Sequence, residues 1–562
     1  MRKLHKQQLL ELTETLNAAC CQLKTEKENV FLSLCAEIQE FVSEMFQYAE
    51  TSLGEDTLVA KYLKDIYEML YHVSQGMISV DKVLKKVREM EIFLKNLEPN
   101  KIEIAFLCYK ASMSDSLESI YFAAKEDKNC DAYFIPIPYF ERNKDGSFGQ
   151  MHLEGDGYYS KQYELTDWQM YDIEARHPDV IFIMNPYDDR NLVTSVHPNF
   201  YSSRLRNYTD MLVYIEYGLP YWLYRDPFAP DAEDECRKNG IVLPAHIYAH
   251  YGITYSEELA KGYLPLFSTH PEIVQKWNMT PEKIKKKFIP LGSSKFDKVI
   301  NYGREDYELP ADWKKKIQGK KVVLYNTGLS EFLKSTAQQQ ENSGEYSAEE
   351  NLYFKKVREI IEAFKYRDDV VLWWRPHPLF ETTIHSMRSV LYEEYQRLVC
   401  EFKEIGKGIF DDTEELHRAI AWSDGMISDE SSLLFLYAAT GKPFYIPSIT
   451  MALTSPTYDD GKDFSVPLES RLSNMRSAKG ANIGNWNCCI WWYNFLEESV
   501  AWNIHFNCYE ERFIDFIVHW DKYPGAEEYK QLQLQMVQDF VANANGTAGQ
   551  KIYKFVKKKV LD

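Results

Sequence analysis

Signatures of several common chemistries are missing from this chain, and each absence removes a class of function. No G-x-G-x-x-G follows a predicted strand, so a dinucleotide site lacks its main support. No P-loop is present, and no G-x-S-x-G offers a nucleophile for Ser/His/Asp hydrolysis. No Asp-x-Asp stands at a strand end to mark a metal-dependent transferase, and the pairs Asp411-Asp412 and Asp459-Asp460 read as turn residues, so no metal ligands are assigned. Positive charge is in deficit: 65 Lys and Arg against 84 Asp and Glu give a net charge of −19 over 562 residues, which argues against nucleic acid as a partner. The 10 cysteines are scattered without metal spacing, and the adjacent pairs Cys20-Cys21 and Cys488-Cys489 do not form a repeating framework, so a reducing cytosol is expected. No uncharged apolar run approaches the ~18 residues of a spanning helix. Met1 to Lys6 is followed by Gln7, Gln8 and Glu11, and no secretory leader is read. The expected location is cytoplasmic, compatible with peripheral contact at the inner face of a membrane. Of the basic runs (Lys283 to Lys287, Lys314 to Lys316, Lys554 to Lys559), the last is the candidate for anionic lipid, against the plainer reading of solvated faces.

What is present is ample apolar material, 45% hydrophobic and 14% aromatic, in a chain too long for one core. Residues 1–98 carry apolar positions at alternating steps of three and four, the mark of amphipathic helices. They form an all-helical N-terminal extension whose seam packs on its own neighbours or mediates a homo-oligomer. At Lys101 the period changes. Ile102 to Leu107 and Ala132 to Ile137 read as buried strands around a helix from about Asp115 to Lys125, a βαβ unit of nucleotide-fold type. Further strands are expected at Asp179 to Met184 and Met211 to Ile215, with an excursion over the sheet edge between Glu141 and Asp167. Residues 99–290 are the first Rossmann-like domain. Residues 291–480 are the second, opening on the strand Lys321 to Tyr325 and including a helix from Ala348 to Phe364 and a capped helix from Thr413 to Ala421. Residues 481–562, with Trp491, Trp492, Trp502 and Trp520, form a helical tail packed back across both domains.

The richest stretch runs from Asp369 to Pro447. The strand Val370 to Trp374 passes directly into Arg375-Pro376-His377-Pro378, a stiff turn at a strand's carboxyl end, where open α/β sheets hold their ligands. Downstream, Ser423 to Ser432 forms strand and turn, Leu433 to Ala439 a helix, and Gly441-Lys442-Pro443 its stop. Ser431 or Ser432 either caps that helix or turns its N–H groups and hydroxyls toward an anion. The R-P-H-P turn, the S-D-x-x-x-x-D-x-S-S turn and the G-K-P stop resemble the C-terminal half of the CDP-glycerol glycerophosphotransferase family, the teichoic-acid-polymerase-like enzymes. Leu291-Gly292-Ser293-Ser294-Lys295-Phe296-Asp297 resembles that family's G-x-P-R-x-D, and Leu324-Tyr325-Asn326-Thr327 its strand end. The order matches across roughly residues 100 to 450.

The resemblance implies an α/β fold of GT-B type with two facing Rossmann-like domains. It also implies transfer of glycerol phosphate, or a related polyol phosphate, from CDP-glycerol to a hydroxyl of an envelope or capsular polymer or lipid-linked acceptor, releasing CMP, with no obligatory cofactor. Donor-binding groups would be Arg375, Ser431, Ser432, Asp429, Ser428, Asn326, Thr327, Lys295 and Gly292. Arg375 would grip phosphate with both arms of its fork, and His377, if protonated by the phosphate field, would bond the leaving group. Where the family carries W-H-G-x-P with its proposed base, this chain has Glu216-Tyr217-Gly218-Leu219-Pro220. A tyrosine with an ordinary pKa of about 10 is poorly matched to that task, so Glu216 or His250 replaces it, or Tyr217 only binds. Two alternatives stand beside this reading: a nucleotide-sugar glycosyltransferase on the same fold, and a non-catalytic nucleotide-binding scaffold.

Overall fold

A computed structural model describes residues 1–143, 145–191, 193–216, 218, 242–269, 280–329, 331–333, 335–337, 351–429, 431–445, 514, 517–522 and 526–562. The chain begins with four amphipathic helices, α1 (Lys3–Leu23), α2 (Glu28–Leu53), α3 (Leu58–Ser74) and α4 (Val80–Asn96). Leu9, Leu16, Leu63, Ile66 and Val87 recur at helical spacing and close on one another in a core of their own. The turn at Lys24 to Lys27 and Gly54, at φ 93°, separate the first three helices. Thr57 caps α3 by accepting from Ala60 N–H.

Past Asn100 the chain enters the first α/β domain with β1 (Ile102–Cys108), α5 (Glu118–Lys125), β2 (Cys130–Pro136), β3 (Tyr139–Arg142), β4 (Phe148–His152), β5 (Val180–Ile183), β6 (Thr194–Val196) and β7 (Met211–Ile215). Then follow α6 (Pro244–Tyr248), β8 (Tyr251–Thr254), α7 (Glu257–Thr269) and β9 (Phe288–Pro290). Six strands form a parallel sheet in the order β2-β1-β5-β7-β8-β9. Every residue of β1 and β7 is buried, which is why these segments read as continuous apolar runs rather than alternating ones. The excursion forms a small antiparallel sheet, β4-β3-β6.

Helix α8 (Ser294–Asn301) leads to the second domain: β10 (Lys321–Thr327), α9 (Leu352–Lys365), β11 (Val370–Pro376), β12 (Ile409–Phe410), α10 (Leu416–Trp422), β13 (Gly425–Ser428), α11 (Leu433–Ala438) and β14 (Phe444–Tyr445). Its parallel sheet runs β12-β11-β10-β13-β14. Two open parallel sheets flanked by helices are the two Rossmann-like domains of a GT-B type fold, preceded by a helical region and closed by C-terminal helices. Of those, α12 (Ala526–Phe540) lies on the second domain, where Phe540 stacks on Phe435 and Gln533 donates to the carbonyls of Ala438 and Lys442. Helix α13 (Ala548–Leu561) returns to the first domain, burying Ile552 and Val556 in its core. Lys557 is drawn to Asp127, while Lys554, Lys558 and Lys559 are exposed. Trp491, Trp492 and Trp502 lie outside the described residues.

Strand order decides where a ligand goes. In both sheets the order reverses beside the first strand, between β1 and β5 and between β10 and β13, and the carboxyl ends at such switch points form the crevice of doubly wound folds. The helical extension sits at the other end. Arg2, 2% exposed, pairs with Glu103 at 3.0 Å and Asp179 at 2.8 Å, both at the amino ends of β1 and β5. Removing one partner from such a buried cluster strands the other charges. Arg2→Met is therefore expected to lower unfolding free energy by roughly 3 kcal/mol in denaturant melts, while leaving ligand affinity at the opposite end of the sheet unchanged.

Candidate active site

Three adjacent strands deliver most of the sequence-marked residues to one place. Asn326 on β10 is in register with Arg375 on β11 and Ser428 on β13. Its amide donates to Ser428 Oγ at 2.9 Å and to Ser431 Oγ at 3.2 Å, spanning the switch point. His377 N–H donates to Thr327 O at 3.0 Å, which fixes the proline-flanked turn against β10. The crest of the second sheet thus gathers Asn326, Thr327, Arg375, His377, Ser428, Asp429 and Ser431.

Their roles differ from those expected. Arg375 is 4% exposed, and its fork is already engaged: Nη1 lies 2.9 Å from Asp411 Oδ2 and Nη2 donates to Thr413 O at 2.6 Å. One arm is thus committed to Thr413 O, while buried Nη1 meets Asp411 by charge without a hydrogen bond. It supplies charge and locks the loop after β12. Asp429 is a buried strut, with Lys356 Nζ 2.5 Å away, Tyr353 Oη donating at 2.5 Å and Gly328 N–H at 2.8 Å. Thr327 is fully buried, its hydroxyl under Trp374 Nε1 at 3.3 Å. Ser431 accepts from Leu433 N–H at 3.2 Å, and exposed Ser432 holds the N-cap position of α11 without a side-chain cap.

Two donor-side candidates stand apart. Gly292, at φ 88°, presses on the tail: a Cβ there would lie 1.8 Å from Ala542 O. Its glycine serves close packing, not a phosphate. Lys295, on α8, faces Asp115 of the first domain at 3.5 Å. Asp115 also accepts from His417 Nε2 of the second domain at 2.9 Å. Burial opposes the Asp115 charge, but Lys295, His417 and Lys298 outweigh it and hold the carboxyl below the usual range.

His377 is poised as a neutral donor. Its Nδ1 accepts from Leu379 N–H at 3.1 Å, which leaves the ring proton on Nε2. Burial, Arg375 and Lys110 together lower its pKa to about 4. The protein's own groups therefore favour the neutral ring, and the protonation that the resemblance implies would need the phosphate's field to raise it. Lys110, which the sequence reading passed over, follows β1 and sits over the Tyr139 ring at 5.0 Å. It brings a cation of the first domain into the field of His377 and Glu414 of the second.

Of the remaining base candidates, Glu216 and His250 are among the described residues. Tyr217 lies outside the described residues. His250 immediately precedes β8, at the amino end of the sheet, where its Nδ1 accepts from Leu212 N–H at 2.8 Å. Burial, Arg206 and Lys287 lower its pKa to about 4. Glu216 does follow a strand's carboxyl end, but it is 6% exposed and accepts from Tyr263 Oη at 2.8 Å, which in turn is 3.0 Å from His246 Nε2. Burial pushes its pKa up to about 8. A carboxyl whose burial favours the protonated form, with Oε2 out of reach of solvent, is poorly matched to taking a proton from an alcohol.

No protein-family model and no curated protein sequence matches the chain. Among solved structures it is similar to the wall teichoic acid polymerase TagF, at 14% identity and TM-score 0.41 over 90% of this chain and 98% of that one. It is also similar to a UDP-N-acetylglucosamine 2-epimerase, at 12% and 0.39 over 81% and 94%. A third likeness is to MnaA of S. aureus with UDP, at 12% and 0.39 over 82% and 96%.

Two outcomes test this geometry. Lys356→Met strands the Asp429 carboxylate in the core and should cost about 3–5 kcal/mol in chemical denaturation. Glu216 binds its proton more tightly folded than unfolded, since the ordinary value is 4.5 and the folded one about 8. Its contribution is full at acid pH and is lost as pH rises through about 8, at up to ~1.4 kcal/mol per pH unit. Stability of Glu216→Gln relative to wild type should accordingly rise between about pH 5 and pH 8, measured by urea melts.

Proposed function

We propose that the chain is a transferase moving glycerol phosphate, or a related polyol phosphate, from a CDP-activated donor to a hydroxyl of an envelope or capsular polymer or lipid-linked acceptor, with release of CMP. The observation that carries this reading is the meeting of polar and cationic groups at the switch points of two parallel sheets. Asn326, His377 and Ser431 crown one above the fully buried Ser428, and Lys110 stands at the other within the field of His377. Such crevices hold nucleotides. A neutral His377 with its proton on Nε2 donates to a non-bridging or leaving oxygen, while Lys110 and the buried Arg375 offset the charge that builds as CMP departs. The acceptor hydroxyl attacks the β-phosphorus in line with that departing oxygen. The motifs in register from Gly292 to Pro443 give the donor its chemical class, and the exposed Lys554, Lys558 and Lys559 are the surface we assign to anionic lipid.

The test is incubation with radiolabelled CDP-glycerol and, separately, UDP- or CMP-sugars, following label into polymer and CMP into solution. Incorporation of a sugar label alone would replace the reading with glycosyl transfer, and donor binding without turnover would replace it with a scaffold. His377→Ala should lower kcat/KM about 10²-fold or more, with only ~1 kcal/mol lost from folding as the Leu379 N–H loses its acceptor. Because the folded imidazole titrates near 4, the free enzyme should show no activity limb near the ordinary histidine value.

A further inference from the structure

A cavity of about 700 Å³ lies along α10, walled by α8, the turn from Gly303 to Tyr307, the stop after α11, and α12. It runs from His417, at the contact between the domains, to Asp424, which precedes β13 at the amino end of the sheet. None of the residues gathered at the crest of the second sheet lines it. Helix α10 stops at Trp422, and its last carbonyls need donors. Lys442 Nζ donates to Ile420 O at 2.8 Å and Ala421 O at 3.1 Å. Arg304 donates to Ala421 O through Nε at 3.3 Å and to Trp422 O through Nη2 at 3.0 Å. Cations suit a helix C-terminus, so this capping is the structural share of their work. It leaves capacity unused. Lys442 keeps its third proton and pairs with no carboxylate among the described residues. Asp424, the carboxylate in the wall, is taken by Arg304 at 3.0 Å, by Lys321 at 3.8 Å and by Val322 N–H at 2.8 Å.

Two more polar atoms of the lining residues are buried without a hydrogen-bond partner, His417 Nδ1 and Tyr307 Oη. His417 is 4% exposed, and its other nitrogen is held 2.9 Å from Asp115. Trp422 Nε1 donates to Tyr307 O at 3.0 Å and fixes that turn. A buried polar atom left unpaired is costly and calls for a partner. The rest of the wall is apolar, with Val299, Ile420, Leu534 and Val537. A mostly apolar wall with a few fixed polar groups, at this volume, is how proteins hold small molecules. We infer that the cavity is a second ligand site, separate from the donor cleft. Its ligand is a small organic anion, with a phosphate or carboxylate held by Lys442 and Arg304, an apolar body against Ile420 and Val537, and a hydroxyl toward Tyr307. The charges set the sign. Lys298, Arg304 and Lys442 line the space against Asp424 alone. Lys298 is occupied by Glu118 at 2.9 Å and Glu415 at 3.6 Å, so the attraction lies at the Lys442 end. A cationic ligand would meet only a carboxylate already shared. No part of this inference rests on the transferase reading.

The experiment is calorimetric binding of 4-hydroxyphenyl phosphate to the full chain, with inorganic phosphate and phenol as the two halves of the probe, alongside thermal melts. The whole probe should bind at least about tenfold tighter than either half. Lys442→Gln, which removes a charged donor, should weaken it about tenfold. Gln538→Trp, at an exposed position on the rim, should block it while the melting temperature holds. Tyr307→Phe removes a buried hydroxyl that has no partner, so it should melt no lower than wild type yet bind the probe about threefold more weakly. His377→Ala should leave the affinity unchanged, and its loss there would place the probe in the donor cleft and overturn the inference. So would a probe that binds no tighter than phosphate or phenol, or that keeps its affinity in both Lys442→Gln and Gln538→Trp. An unchanged affinity in Tyr307→Phe would also overturn the assignment as stated. Each of these outcomes leaves the test of donor turnover untouched.

Discussion

The architecture depends on a small ionic knot where the two sheets meet. Asp115, in the turn after β1, touches Lys295 of the connecting helix and His417 of the second domain. One turn along that helix, Lys298 holds Glu118 at 2.9 Å and Glu415 at 3.6 Å, again one partner from each side. Apart from half-exposed Glu415, these groups are withdrawn from water to a degree that makes an unpaired charge costly, so the knot tolerates few alternative arrangements. Helix α8 is its hub. Ser119 of α5 bonds both Ser294 and Asp297, and Asp297 accepts the first free N–H groups of α13 from Ala548 and Gly549. One short helix therefore binds the first domain, the second domain and the tail together. The facing of Lys110 toward His377 follows from it.

The site is built in two layers with different tasks. Beneath the surface, Asp429 with Lys356 and Tyr353, and Arg375 with Asp411, are paired within the protein and hold the strand ends at fixed heights. Above them, His377, Asn326, Ser431 and Lys110 retain bonding capacity toward a ligand. Satisfied buried pairs make the exposed groups rigid, and rigidity is what lets weak donors act on developing charge.

Much of this was legible in the sequence, and the failures have physical causes. Continuous apolar runs such as Ile102 to Leu107 and Val370 to Trp374 announced buried parallel strands, and the proline-flanked His377 announced a turn at a strand end. Side-chain partners were not legible, because they come from afar. Lys356 and Asp429 are 73 residues apart, and Asp115 and His417 are 302 apart. Without those partners Asp429 looked like a ligand group. His250 was misplaced because it precedes its strand: in a parallel sheet that puts it at the amino end. The start of α10 was misjudged because Thr413 and Glu415 are both fair caps, and only the competing bond from Thr413 to Asp411 decides between them.

The return of α13 to the first domain also shapes how the molecule is made. Tyr553 Oη donates to Asp127 across 426 residues of chain, and Ile552 and Val556 fill the core beside α5. During synthesis the first α/β domain emerges with that apolar stripe bare until α13, far downstream, is made. Folding of that domain is therefore completed late, and the stage with the α5 face uncovered is the one most open to association with other chains.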